Sequence, residues 1–326
     1  MLRSRAFRIG VSIVISLVFL GFAMRGVDWG QAVTAMAHAN YLYCIPMTLG
    51  AVWQLYIRAQ RWRILLRPIG QPRMKTLVAA TNIGFMANMV LPLRAGEVIR
   101  PLLVSQQEKE PLGGILATIV LERLFDLFTI LLLFGVTASL LPVDERVTRW
   151  GFRLLTVSGL IAAGALFIRW QEALALRLLK VVLGPLPANI GEAIEKFFSG
   201  FVQALKVLDS PLAVLQITAW SFFLWLEIAA IFGCAILAFH LPVPLVLGSI
   251  AVAVIVAIAV SAPSAPGFIG AFQLGCTFAL QIFGVPKDDA FAFSIVLHVT
   301  QFVGVVGAGL YSLAREGMSL RQVSKR

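Results

Sequence analysis

The sequence predicts an all-α polytopic membrane protein, with about six full spans and two re-entrant hairpins broken by proline and glycine, arranged as a weak inverted repeat. Three observations predict it. Mean hydropathy is +0.89, and 59% of the 326 residues are hydrophobic while 13% are charged, a composition foreign to soluble domains. Two long apolar runs are interrupted, at Leu91-Pro-Leu-Arg-Ala-Gly-Glu-Val-Ile-Arg-Pro101 and at Ser261-Ala-Pro-Ser-Ala-Pro-Gly-Phe-Ile-Gly270. Such breaks free backbone groups that lipid cannot satisfy, so they survive at membrane depth only inside protein or beside a water-filled cavity. Paired breaks in corresponding positions of two halves point to a binding site.

A spanning helix needs about 20 apolar residues, and the elements follow in order. Residues 9–24 form the first span; its basic start (Arg3, Arg5, Arg8) also fits a signal peptide, but no small-residue cleavage pattern follows, so a retained span is expected. The second, 41–57, closes on Ile57-Arg-Ala-Gln-Arg-Trp-Arg63, with Trp62 at interface depth. The first break lies within 76–103, and 113–141 and 151–168 are further spans, the latter bracketed by the interface markers Trp150 and Trp170. The stretch 169–211 reads as a cytoplasmic interfacial segment with an amphipathic helix. Span 212–239, the second broken segment 245–283 and span 290–313 complete the chain, the last with close-packing glycines at 304, 307 and 309. No flank is polar enough to fold apart, so 1–326 is a single transmembrane domain.

Positive charge sets the orientation, because short loops rich in Lys and Arg stay cytoplasmic. The N-terminal arginines and the group Arg58, Arg61, Arg63, Arg67, Arg73 and Lys75 then lie inside. If each broken segment enters and leaves on one side, the basic residues of 169–211 and the tail with Arg315, Arg321, Lys325 and Arg326 also lie inside. Both termini are thus expected in the cytoplasm, with the first hairpin opening from the cytoplasm and the second from the far side. The net charge of +11 serves orientation; no nucleic acid is expected as a partner. Two repeats, 76–141 and 245–314, align weakly: Pro92-Leu-Arg-Ala-Gly96 over Pro263-Ser-Ala-Pro-Gly267, then Leu121-Glu-Arg-Leu-Phe-Asp126 over Leu297-His-Val-Thr-Gln301.

Chemistry concentrates in the charged residues inside apolar helices, each costing about 2.5–3.5 kcal/mol near the bilayer centre on insertion scales. Glu122 and Asp126 share a helix face; Arg123 can pair with Asp126, which leaves one excess negative charge for Arg94 or Arg100, with Glu97 on the same hairpin. The group reads either as a structural ion network or as the path of a charged headgroup, for which the arginine fork suits phosphate. Arg58, Arg61 and Arg63 read as membrane anchors or as the place where an anionic headgroup enters. His298 and Gln301 share a face of the last span, and Glu227 sits alone in the fifth; each is a hydrogen-bonded structural residue or a proton carrier. Asn82 and Asn88 approach the first break. Cys44, Cys234 and Cys276 lie in apolar segments without metal-ligand spacing, and no cofactor or metal is expected.

These motifs, together with Arg61-Trp-Arg63 and the run from Ala262 to Gln273, resemble the flippase-like transmembrane region of lysylphosphatidylglycerol synthases, a family with stand-alone members linked to polyprenyl-phosphate sugars or hopanoids. The resemblance covers nearly the whole chain and implies movement of a polar lipid across the cytoplasmic membrane. Its polar motif positions fall on Arg94, Gly96, Glu97, Arg100, Glu122, Arg123 and Asp126, and on Pro266, Gly267 and Gly270. One departure is visible: the family's second motif reads Pro-Gly-Gly-Ile-Gly followed by a glutamate, whereas Pro266-Gly-Phe-Ile-Gly270 is followed here by Gln273. No stretch resembles the soluble aminoacyl-transferase part of the full synthases, so lysyl-lipid synthesis is not expected.

The expected function is therefore a lipid translocase of the cell inner membrane, moving a phospholipid or a polyprenyl-phosphate-linked lipid, without an ATPase motif. The alternatives are an integral membrane enzyme acting on a lipid headgroup, with Glu122 or Asp126 as acid or base, and a non-catalytic partner of a lipid-biosynthesis enzyme. A homodimer is compatible with each.

Overall fold

The computed structural model describes residues 2–140, 145–183, 187–261 and 265–318. Ala262, Pro263 and Ser264 of the second break lie outside the described residues, as do Arg321, Lys325 and Arg326 of the tail. The described residues are mostly helical, with no strand among them. Thirteen helices are described: α1 (Leu2–Met24), α2 (Trp29–His38), α3 (Cys44–Leu65), α4 (Met74–Val90), α5 (Gly96–Glu108), α6 (Leu112–Leu140), α7 (Glu145–Trp170), α8 (Glu172–Leu183), α9 (Ala188–Leu205), α10 (Pro211–Ala238), α11 (Leu245–Ser261), α12 (Ala271–Gln281) and α13 (Lys287–Arg315).

By length and composition, α10 and α13 are each apolar enough to cross a bilayer. The equally long α6 is interrupted by Glu122, Arg123 and Asp126. Two elements depart from the expected layout. α2 is an additional short helix, capped by the Asp28 carboxylate, which accepts from the N–H groups of Gly30 and Gln31. α3 does not stop at Ile57 but runs to Leu65, carrying Arg58, Arg61 and Trp62 into the interior.

Both breaks fall where proline and glycine place them, each inside a helix–turn–helix hairpin: α4 with α5 around a 3-10 turn at Pro92–Arg94, and α11 with α12 around a 3-10 turn at Pro266–Phe268. In the first hairpin α4 and α5 touch through Gly84 and Gly96. A Cβ on Gly96 would overlap the Gly84 carbonyl oxygen, and its N–H, an orphan donor at the start of α5, reaches Asn88 Oδ1 at 2.9 Å. In the second, Gly267 and Gly270 take positive φ values of 68° and 87°, and a Cβ on Gly270 would collide with the backbone of α1. The Ala265 N–H donates to Ser16 Oγ of α1, and the Gly270 N–H to Gln273 Oε1 at 2.8 Å.

The packing pairs helices in matching ways. α3 lies against α10; α4 packs on α13 while α11 packs on α6; α5 touches α6 while α12 touches α13. The tips of the two hairpins meet, with Met89 of α4 against Gly267. Cys276 is buried and Cys44 and Cys234 are half-buried, all three as free thiols.

The glycine contact sets a first expectation. Gly96→Val forces α4 and α5 apart and lowers stability by about 1–3 kcal/mol. Gly135→Ala, at a position where nothing lies within 4 Å, leaves stability level or slightly higher. Thermal unfolding of the two variants in detergent checks the contrast.

Candidate functional site

The charged residues of α3, α5 and α6 converge on one buried network. Glu122, fully buried, takes a two-pronged contact from Arg100, Nη1 to Oε1 at 3.1 Å and Nη2 to Oε2 at 3.0 Å. It also receives Arg123 at 3.0 Å and lies 3.5 Å from Arg61. Asp126, one turn on, accepts from Arg61 Nη1 at 2.5 Å and from Trp225 Nε1 at 3.3 Å, with Arg123 at 3.6 Å and Arg58 at 3.9 Å. Arg61 also donates to Ser221 Oγ at 2.9 Å.

Aromatic rings complete the shell. The Arg100 guanidinium lies 3.8 Å from the Trp62 ring centroid, and the Trp62 indole N–H holds Thr118 Oγ1 at 2.8 Å. Arginine suits such a place because its planar fork both stacks and makes parallel hydrogen bonds.

The excess negative charge of α6 meets one of its two expected partners, Arg100 at Glu122. Two further arginines join from α3, so the network sets four arginines, 58, 61, 100 and 123, against two carboxylates, an excess of two positive charges. The correction lies in α3, whose Arg58 and Arg61 are buried between helices rather than anchored at an interface, as is Trp62. Of the three arginines expected to meet an entering headgroup, Arg63 alone is exposed.

Arg94 is corrected too. It does not reach Glu122 or Asp126; it donates to the Val260 carbonyl at the end of α11, lies 5.4 Å from the Phe268 ring centroid and sits 3.9 Å from Glu97. It thereby clasps one hairpin tip to the other.

Beside the network opens a cavity of about 500 Å³. Its polar lining is Gln54, Arg58, Asn88, Arg94, Glu97, Arg123, Asp126, Ser261, His298 and Gln301. Its apolar wall comes from α10 and α11 through Trp225, Ile228, Phe232, Ala253, Val256, Ala257 and Val260. The Arg94 and Arg123 side chains are 36% and 43% exposed. Arg100, Glu122 and Arg61 stand behind them and hold the wall. A cavity with convergent polar groups on one side and an apolar wall on the other suits an amphipathic ligand.

The second-half positions divide differently. His298 lines the cavity and meets Gln273 Nε2 at 2.9 Å through Nδ1. Gln273 is buried and, with Gly270, fixes the turn; Pro266, Gly267, Gly270 and Gln273 shape the hairpin tip, and Phe268 and Phe272 of that region face the cavity. The N–H groups of Ala265 and Gly270 are bonded within the protein. Gly96 lies in the α4–α5 contact, outside the cavity lining. Missed altogether were Gln54, Trp225 and Ser221. The first was accessible from spacing: Gln54, Arg58 and Arg61 step by four and three along one helix face.

The network separates anchors from accessible groups. Glu122→Gln leaves buried arginines unmatched and is expected to cost about 3–5 kcal/mol, whereas Arg123→Gln, at a half-exposed position, costs about 1 kcal/mol or less. Thermal unfolding of both variants measures the difference.

The family model described as Lysylphosphatidylglycerol synthase TM region matches residues 9–309. Among curated proteins, the chain is 27% identical over 139 residues to the glycosyltransferase AglD of Haloferax volcanii, a match covering 41% of this chain and 22% of that protein. The chain thus spans under a quarter of that relative's length. No solved structure matches the chain.

Proposed function

The chain belongs to the lysylphosphatidylglycerol synthase TM region family, and on that premise we propose that it is a translocase for an anionic, phosphate-bearing lipid. The observation that carries this reading is the cavity itself: a buried excess of positive charge, with Arg94 and Arg123 accessible, faces an apolar wall where the two hairpin tips meet. Phosphate oxygens would take the guanidinium groups, and the acyl or prenyl chain would lie along α10 and α11.

The proposed topology is six full spans and two re-entrant hairpins in the inner membrane, with both termini cytoplasmic. The basic stretch 63–75 follows α3 and the segment 169–211 precedes α10, so positive-inside bias makes these paired helices antiparallel. Matching contacts of α3–α6 and α10–α13 then support two inverted repeats, whose rocking would expose the cavity to each side in turn. The repeat units become α3–α6 and α10–α13, wider than 76–141 and 245–314. The 101° bend between α7 and α8 supports an interfacial layer over 169–211.

One observation favours a second reading. The Haloferax volcanii relative is named a glycosyltransferase, which fits a membrane unit that presents a lipid to a partner enzyme.

In proteoliposomes, a fluorescent phosphatidylglycerol is expected to change leaflet without chemical change, faster than the phosphatidylcholine analogue. Arg123→Gln should slow it about tenfold or more, the loss expected for a hydrogen bond to a charged group, while remaining folded. A new lipid species would overturn the reading, and lipid movement only with a partner enzyme present would favour the second.

A further inference from the structure

Glu227 has no place in the network, yet it is a carboxylate in the spanning helix α10. It lies against α3 where Gly50 leaves room: a Cβ on Gly50 would meet Glu227 Oε1 at 2.9 Å and Ile231 Cγ1 at 2.8 Å. Its Oε2 is buried without a hydrogen-bond partner. Trp225 and Ile228 of the same helix line the cavity, so Glu227 stands immediately behind its wall.

Arg58 is its counterpart. The side chain is 9% exposed and lines the cavity, with Nε and Nη1 buried and unbonded and its nearest carboxylate, Asp126, at 3.9 Å. Gly50, Gln54 and Arg58 follow one another at steps of four along one face of α3, and Arg58 is within electrostatic range of Glu227. Side chains on a helix tilt toward its N-terminus, and the Arg58 guanidinium also lies 4.7 Å from the Phe85 ring centroid.

We propose that Glu227 couples proton uptake to headgroup binding by competing with the bound anion for Arg58. The inference rests on the anionic-lipid reading above and adds its energy coupling. On the alkaline side of its titration and with the cavity empty, the Glu227 carboxylate balances Arg58, since an unmatched buried charge is costly. When a phosphate oxygen occupies the Arg58 fork, the Glu227 carboxylate loses its counter-charge and takes a proton from water. No other bond forms or breaks, and by linkage anion and proton each raise the other's affinity. A monoanionic headgroup and one proton then bind together without net charge.

Other titratable groups on the neighbouring elements are few. α3 brings Arg58, Arg61, Tyr56, Cys44 and the exposed Arg63, and α10 itself carries Cys234; α6 brings Asp126, Arg123 and Glu122; the 3-10 turn before α3 brings Tyr41 and Tyr43. α13 brings His298 across the cavity, the turn before α10 carries Lys206 and Asp209 at the far end, and α11 carries none.

The test is calorimetric titration of the full chain in nanodiscs with dihexanoyl phosphatidylglycerol, whose diester charge does not titrate at these pH values, in buffers of different ionisation enthalpy. The wild type should bind more tightly at low pH and take up close to one proton at the alkaline end, where affinity falls about tenfold per pH unit. Glu227→Gln should bind with the same affinity at acid and alkaline pH and without proton uptake; Glu227→Asp should keep the linkage, and carries the test if the glutamine variant does not fold. Binding without proton uptake in the wild type, or uptake persisting in Glu227→Gln, overturns the coupling and leaves the translocase reading standing. No binding at any pH overturns both.

Discussion

The two-pronged contact between Arg100 and Glu122 is the constraint on which the first half of the molecule depends. It joins α5, the returning arm of a hairpin, to α6, and it does so where water is excluded. Each ion alone would be intolerable in that setting, and the pair is tolerable because Arg61, Arg123 and the Trp62 ring occupy the remaining faces. A buried ion pair adds little net stability against apolar packing of the same shape. Its contribution here is placement: it fixes the depth and rotation of α5 relative to α3 and α6, and so the positions at which Arg94 and Glu97 stand.

Much of the architecture was legible in the sequence, because lipid imposes simple requirements. Long apolar runs became α6, α10 and α13, and proline with glycine marked both hairpin turns. The site was only half legible. Glu122, Arg123 and Asp126 announce themselves as charges in an apolar helix, but their partners lie on α3 and α5, and spacing along one helix says nothing of those. Arg58 and Arg61 misled for a specific reason: a cationic cluster at the end of an apolar run satisfies the positive-inside pattern equally well as a surface anchor or as the last buried turns of a longer helix. Their depth adds two positive charges that the reading of α6 and its hairpin did not count. α2 was overlooked although Asp28 is an ordinary N-cap, since a short amphipathic helix carries little signal beside a hydrophobic span.

The two breaks, similar in sequence, have different work in the fold. The first contributes charged side chains, Arg94 and Glu97, to the cavity. The second contributes rings, Phe268 and Phe272, and spends its own polar groups on keeping its shape. An aromatic floor facing a charged rim is a chemically polarised chamber, and the polarity runs from one hairpin to the other rather than along either.

The backbone contacts of the second break also bear on how such a chain is made. Its exposed groups are met by residues far upstream: the Val260 carbonyl by Arg94 and the Ala265 N–H by Ser16. The first break depends on its own hairpin, through Asn88 and Gly96. A ribosome delivering the chain from its N-terminus would therefore release a first hairpin whose turn N–H is met from within, and a second that enters a bilayer already holding the groups it requires. Vectorial synthesis and the direction of this dependence agree, and reversing the order of the halves would leave the second break waiting in hydrocarbon for its partners.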